Sequence, residues 1–154
     1  MTCLAYDGFI LAADKRAVSG GGIARQTTKI ERFEDRVLGI TGDWDAAAEM
    51  REWYKEGADP TKFPAKARDD KATLVVIHMG SIRSIKQYNA GPYPMSIENT
   101  RCAWGSGRDY AEAVMYLGYN SVRAVQVACH FQTDCGDGVD FLEVNPNVDG
   151  IKKE

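Results

Sequence analysis

The chain has 154 residues, of which 44% are hydrophobic and 27% charged, the balance of one ordinary globular domain able to bury a core. Its formal net charge of −3 is spread over interspersed acids and bases, so no basic stripe offers itself to nucleic acid and no polybasic block to a membrane surface. No apolar run reaches the length of a membrane span and no signal peptide opens the chain, which predicts a cytoplasmic protein with a single domain over residues 2–150.

Apolar runs at Thr2–Tyr6 and Phe9–Ala13 flank Asp7-Gly8, a pair that tolerates positive φ at both turn positions, so the spacing predicts a tight type I′ hairpin. Asp14 ends the second strand. The following Ser19-Gly20-Gly21-Gly22 lacks the spacing and the Lys-Ser/Thr ending of a phosphate-binding loop and reads as a polar connection. Strands are expected over Thr28–Phe33 and Val37–Thr41, the second stopping at Gly42. Asp43 and Asp45 then offer cap carboxylates to a helix in which Ala46, Met50 and Trp53 recur on one face, and Gly57 ends it. Residues 58–71 are polar, contain Pro60 and Pro64, and read as a loop.

A second hairpin is predicted from Ala72–His78 and Ser81–Tyr88 about Met79-Gly80. Pro92 and Pro94 break the chain, and a short strand near Cys102–Trp104 leads into Gly105-Ser106-Gly107. Two helices follow. In the first, Tyr110, Val114 and Leu117 share a face before Gly118; in the second, Asn120 or Ser121 is the cap and Val122, Val125 and Cys129 share a face. The turn Thr133–Gly138 feeds a last strand, Val139–Val144, and Lys152-Lys153-Glu154 is expected to be a loose tail. Hairpins dominate, so the sheets should be antiparallel. Helices in two separate blocks put one layer on each outer side of a two-sheet sandwich.

Cys3, Cys102, Cys129 and Cys135 show no C-x-x-C spacing, and His78 and His130 do not stand at metal-ligand distance from them. No metal site and no cofactor is expected, and free thiols suit a reducing compartment. His130, beside Phe131 on a predicted helix, reads as structural. Thr2 carries more chemistry. Methionine removal is favoured before a small residue, and loss of Met1 would leave a threonine with both a β-hydroxyl and a free α-amine. That is a nucleophile and a base in one residue, because such an amine titrates near pH 8. Taken alone, Thr2 reads first as the opening residue of an edge strand, where β-branched side chains are favoured, and only the rest of the chain shifts that balance.

The Thr-initiated hairpin, Ile10-Leu11-Ala12-Ala13-Asp14-Lys15-Arg16-Ala17, Lys29-Ile30, Gly39-Ile40-Thr41-Gly42, Gly105-Ser106-Gly107 with Tyr110-Ala111, and Asp137-Gly138-Val139-Asp140 occur in the order found in proteasome β-type subunits. From Thr2 to about Val144 the chain resembles that family of N-terminal nucleophile hydrolases. The resemblance implies an α+β fold, a four-layer αββα sandwich of two antiparallel sheets, here with one outer helix replaced by the 58–71 loop. It implies a threonine-type endopeptidase in which Thr2 is the nucleophile, Lys29 stabilises its alkoxide, Asp14 holds Lys29, and Ser106 relays a proton near the α-amine. Gly42, or Asp43 one residue on, would supply the oxyanion N–H, and Ala17 and Val18 the strand edge that pairs with an extended peptide. Where the family has an Asp and then a Ser three residues later, this chain has Gln132-Thr133-Asp134-Cys135, with Asp134 as a support residue and Cys135 in the serine's place. Implied partners are unfolded or short peptides, a homo-oligomeric ring and an ATP-dependent unfoldase. Two other readings stay open: a non-catalytic assembly or binding subunit that retains Met1, and an amidase for a small non-peptide substrate.

Overall fold

The computed structural model describes residues 2–18, 24–79, 84–144 and 152–153. One sheet contains β1 (Leu4–Tyr6), β2 (Ile10–Asp14), β10 (Cys102–Trp104), β11 (Val139–Glu143) and β12 (Lys152–Lys153), in the order β10-β1-β2-β11-β12. The other contains β5 (Ile30–Phe33), β6 (Arg36–Gly42), β7 (Ala72–His78), β8 (Ser84–Tyr88) and β9 (Met95–Ile97), in sequence order. A two-stranded ribbon, β3 (Arg16–Val18) and β4 (Ala24–Gln26), stands apart. Among the described residues every pairing is antiparallel. Helix α1 (Trp44–Lys55) covers the second sheet, while α2 (Arg108–Tyr116) and α3 (Ser121–Phe131) cover the first.

Period-two alternation explains the layering. Leu4, Tyr6, Leu11 and Ala13 face the inter-sheet core with Val37, Val75, Ile77 and Leu142. Their neighbours Cys3, Ala5 and Ala12 face the other way, against Ala111, Met115, Val125 and Ala128 of the helices. Small side chains on that face let α2 and α3 approach the sheet closely. The third core joins Leu38, Ile40, Leu74 and Val76 to Met50 and Trp53 of α1. Asp43 caps α1 by accepting from the Ala46 N–H at 3.1 Å. Asn120 is the cap of α3, accepting from Arg123 N–H at 2.9 Å, while Ser121 ties that helix to the first hairpin through Asp7 and the Ile10 carbonyl.

Several sequence expectations are corrected. The first turn is centred on Gly8-Phe9: Asp7 N–H reaches the Ile10 carbonyl, and the Asp7 carboxylate accepts from Phe9 and Ile10 N–H. Gly8 has φ +99° and Phe9 is not left-handed, which is the type II′ pattern, so the Asp7 side chain moved the turn by one residue. Residues 58–71 contain 3₁₀ turns at Pro60–Lys62 and Ala65–Asp69, and Phe63 and Ala67 are buried under α1. The Trp53 and Phe63 rings meet edge to face at 5.0 Å. On α2 the buried positions are Ala111 and Met115, with Val114 half-buried against the same core; Tyr110 stacks on Phe131 at the surface and Leu117 is exposed. Ala17 and Val18 lie on a strand, as expected, while its partner β4 and strand β9 have no counterpart in the sequence reading, and Lys152–Lys153 pairs with β11 instead of forming a loose tail. The glycine run 19–22 and the Gly80 turn lie outside the described residues. Among the described residues no helix is long and apolar enough to cross a membrane.

Candidate active site

β2 ends by delivering Asp14 to the centre of the molecule, where its side chain is fully buried. A carboxylate there is costly unless its lone pairs are met, and four donors meet them. Oδ1 accepts from Cys3 N–H at 3.0 Å and from the Lys29 ammonium at 2.9 Å. Oδ2 accepts from Arg16 N–H and Gly136 N–H, both at 3.1 Å. Lys29, just before β5, is itself 4% exposed and donates a second bond to Thr2 Oγ1 at 3.1 Å. One ammonium thus joins a fixed anion to a buried hydroxyl. A cation so placed favours the deprotonated form of that hydroxyl.

Thr2 is held from its other side by the β10–α2 turn. Its N–H lies 3.3 Å from Ser106 Oγ, and its carbonyl accepts from Gly107 N–H at 3.3 Å. Thr2, Asp14, Lys29 and Ser106 therefore form one connected cluster. Asp134 does not join it. Its carboxylate accepts from Gln132 Nε2 at 3.4 Å, and the side chain of this turn that meets Ser106 Oγ is Cys135, at 4.0 Å. The reason is the turn's anchoring: Gly136 N–H is committed to Asp14, which swings residue 135 inward. Arg16 clamps the same turn through Asp137 at 3.1 Å and the Thr133 carbonyl at 2.7 Å. The Arg16 guanidinium holds the Asp137 carboxyl below the usual carboxylate range. The sequence had shown Arg16 and Asp137 inside recognisable segments without revealing that they face each other.

Thr2, Lys29, Ala17, Val18 and Gly42 line one cleft. β3 pairs with β4 along one edge, and among the described residues its other edge carries no strand. On β6, Ile40 N–H bonds the Lys29 carbonyl, so strand alternation puts Gly42 N–H on that same edge, beyond the end of β5. Asp43 N–H is already committed to the Lys71 carbonyl at 2.8 Å. Among the described residues no cluster of three or more His, Cys, Asp or Glu could hold a metal ion.

The cysteines are free; Cys3, Cys102 and Cys135 are buried and Cys129 is half-buried. Burial, with Asp14 adding to it, pushes the Cys135 thiol up to about 11, and burial lifts Cys102 and Cys129 to about 12. The native thiols bind their protons more tightly than the ordinary value of 9.0 allows in the unfolded chain, so their stabilising effect is complete below pH 9 and is lost as pH rises through 11–12. Melting temperature should fall progressively above pH 9. Native protein at pH 8 should react slowly with dithionitrobenzoate and release its full thiol count only on unfolding; rapid native reaction would contradict this burial.

Solved structures share this fold, among them the following two. A Gly-1 mutant of Anbu from Hyphomicrobium sp. strain MC1 superposes with a TM-score of 0.76 at 12% identity, covering 99% of this chain and 87% of that one. Eukaryotic HslV from Trypanosoma brucei gives 0.69 at 17% identity, covering 92% of this chain and 97% of that one. No protein-family model and no curated protein sequence matches the chain.

Proposed function

We propose that the protein is a threonine-type peptidase whose nucleophile is Thr2 after removal of Met1. The observation that carries this reading is the Lys29 ammonium bridging Asp14 and the Thr2 hydroxyl at 2.9 and 3.1 Å. The freed α-amine of Thr2 takes the hydroxyl proton as Oγ1 attacks the peptide carbonyl. Lys29 stabilises the developing alkoxide, Gly42 N–H the oxyanion, and Ser106 orients the amine. Collapse of the tetrahedral adduct breaks the C–N bond, the leaving amine receives the proton, and water hydrolyses the ester on Thr2. The edge of β3 at Ala17 and Val18, which carries no strand among the described residues, suits an extended peptide, which favours peptides over small amides. Self-assembly into a ring fed with unfolded chains by an ATP-dependent unfoldase belongs to the same proposal, supported by the fold likeness.

The test is intact mass of the native protein, followed by incubation with a peptide vinyl sulfone. The expected result is loss of one methionine residue and a single covalent adduct, absent in Thr2→Ala while that variant keeps its melting temperature. A second reading, a non-catalytic subunit that keeps Met1, is favoured by one feature: Cys135 stands where the resemblance expects a serine beside Ser106. Retained Met1 with no adduct would decide for it.

A further inference from the structure

Lys29 brings the cation to the site, yet it stands one residue before β5, outside the ladder that fixes that strand to β6. Its own carbonyl accepts from Ile40 N–H at 3.0 Å, which anchors it on the C-terminal side. On the N-terminal side Lys15 holds the chain. The Lys15 carbonyl accepts from Thr27 N–H at 2.8 Å, and the Lys15 ammonium donates to Thr28 Oγ1 at 3.3 Å. Asp14 and Lys15 thus grip consecutive positions of one segment, Asp14 at Lys29 and Lys15 at Thr28 and Thr27. A lysine stem is flexible, and its ammonium is ordinarily drawn to water. Here the Lys15 side chain is only 11% exposed, and its ammonium lies 2.7 Å from Oδ2 of Asp140, whose side chain is 1% exposed. Asp140 stands on β11, paired with Ala13 of β2. Its other oxygen, Oδ1, is buried and has no hydrogen-bond partner among the described residues. Asp14 has four donors; Asp140 has Lys15 alone among the described residues. A buried pair so sparsely bonded adds little stability, and its consequence is geometric: it fixes the ammonium where Thr28 leads into Lys29.

We infer that Lys15, held in place by Asp140, is a positioning residue for the Thr2 chemistry: through Thr28 it sets how closely Lys29 approaches the Thr2 hydroxyl. The inference rests on the Thr2 reading above and adds to it a residue that touches neither substrate nor reacting atoms. With the tether cut, Lys29 keeps its ion pair with Asp14 but is free to withdraw from Thr2 Oγ1. The alkoxide then loses stabilisation, so the rate falls. The Thr2 amine loses a neighbouring cation, binds its proton more tightly, and the acid limb of the pH–rate profile moves to higher pH. The other titratable groups about that amine are Asp14 and, through Ser106, Cys135. Among the described residues neither bonds the Thr28 side chain, so a moved limb reports Lys29.

The experiment measures the rate of labelling by a peptide vinyl sulfone from about pH 5 to 10, a range that spans the titration of an α-amine, with Thr2→Ala as the blank. Thr28→Val removes the acceptor at an exposed position and should leave the melting temperature unchanged. It should label about threefold to tenfold more slowly, on the scale where a displacement of about 1 Å at a reacting group can cost about 10²-fold, and its acid limb should lie at higher pH. Thr28→Ser keeps the hydroxyl and should recover both the native rate and the native limb. Lys15→Met combined with Asp140→Asn removes the ammonium without stranding a buried charge, and should label about tenfold or more slowly with the limb moved in the same direction. A native rate with an unmoved limb in Thr28→Val, or in the folded double variant, overturns the inference and leaves the Thr2 reading standing. A slower rate with the limb in its native place marks general loosening and overturns it too. No labelling of the unaltered protein overturns both. Thr28→Val decides alone where the double variant fails to fold.

Discussion

Asp14→Ala should lower the melting temperature by about 10–15 °C and abolish covalent labelling of Thr2. The substitution strands a 4% exposed ammonium at Lys29 and deprives the N–H groups of Cys3, Arg16 and Gly136 of their acceptor. Removing one partner of a buried ion pair costs roughly 3–5 kcal/mol, because the remaining charge stays desolvated. Each kcal/mol corresponds to roughly 2–4 °C in a chain of this size. Lys29→Met should be milder, since Asp14 would keep three backbone donors for its negative charge. Adding Lys29→Met to Asp14→Ala should recover part of the lost stability, as the stranded ammonium is then gone, with a coupling of about 1–3 kcal/mol. Labelling should be absent from all three variants. Thermal melts of the single and double variants check this. Equal melting temperatures for the two single variants would show that the backbone donors contribute nothing to holding the carboxylate.

The same node explains what the sequence could and could not reveal. Strands written as continuous apolar runs, such as Ala72–His78, and helices with a capping Asp or Asn were legible, because the run and the cap are properties of adjacent residues. The three-residue strand Met95–Ile97 exists only through its partner and leaves no periodic trace. The buried face of α2 is rotated from the expected one: Ala111 and Met115 go in, Val114 stays at its edge, and Tyr110 finds a ring partner in Phe131 at the surface. Thr2, Asp14, Lys29 and Ser106 were nameable from motif order, and the structure brings them into contact. The donors around Asp14 were not nameable, since a backbone N–H has no side-chain signature. Gly136 reaches Asp14 from 122 positions away, and that contact also decides that Cys135, not Asp134, meets Ser106.

Gly105→Ala should reduce the labelling rate of Thr2 by about a hundredfold or more while leaving a folded protein. Gly105 has φ +94°, and a Cβ built on it would lie 2.0 Å from the Thr2 carbonyl oxygen and 2.7 Å from the carbonyl carbon. Ordinary contact begins near 3.4 Å, so Thr2 or the turn must retreat by more than about 1 Å, and a displacement of that size at a reacting group can cost about 10²-fold. The retreat also pulls the Thr2 carbonyl from Gly107 N–H and the Thr2 nitrogen from Ser106. Gly118→Ala separates this clash from backbone strain. Gly118 has φ +99°, yet nothing lies within 4 Å of its Cβ position. That variant should show the stability loss of about 1 kcal/mol expected from an alanine forced to positive φ, with labelling unchanged. Parallel labelling and thermal melts of the two variants make the comparison. If both label at the native rate, the close approach of Gly105 does not position Thr2, and its geometry must be fixed by Lys29 and Asp14 alone.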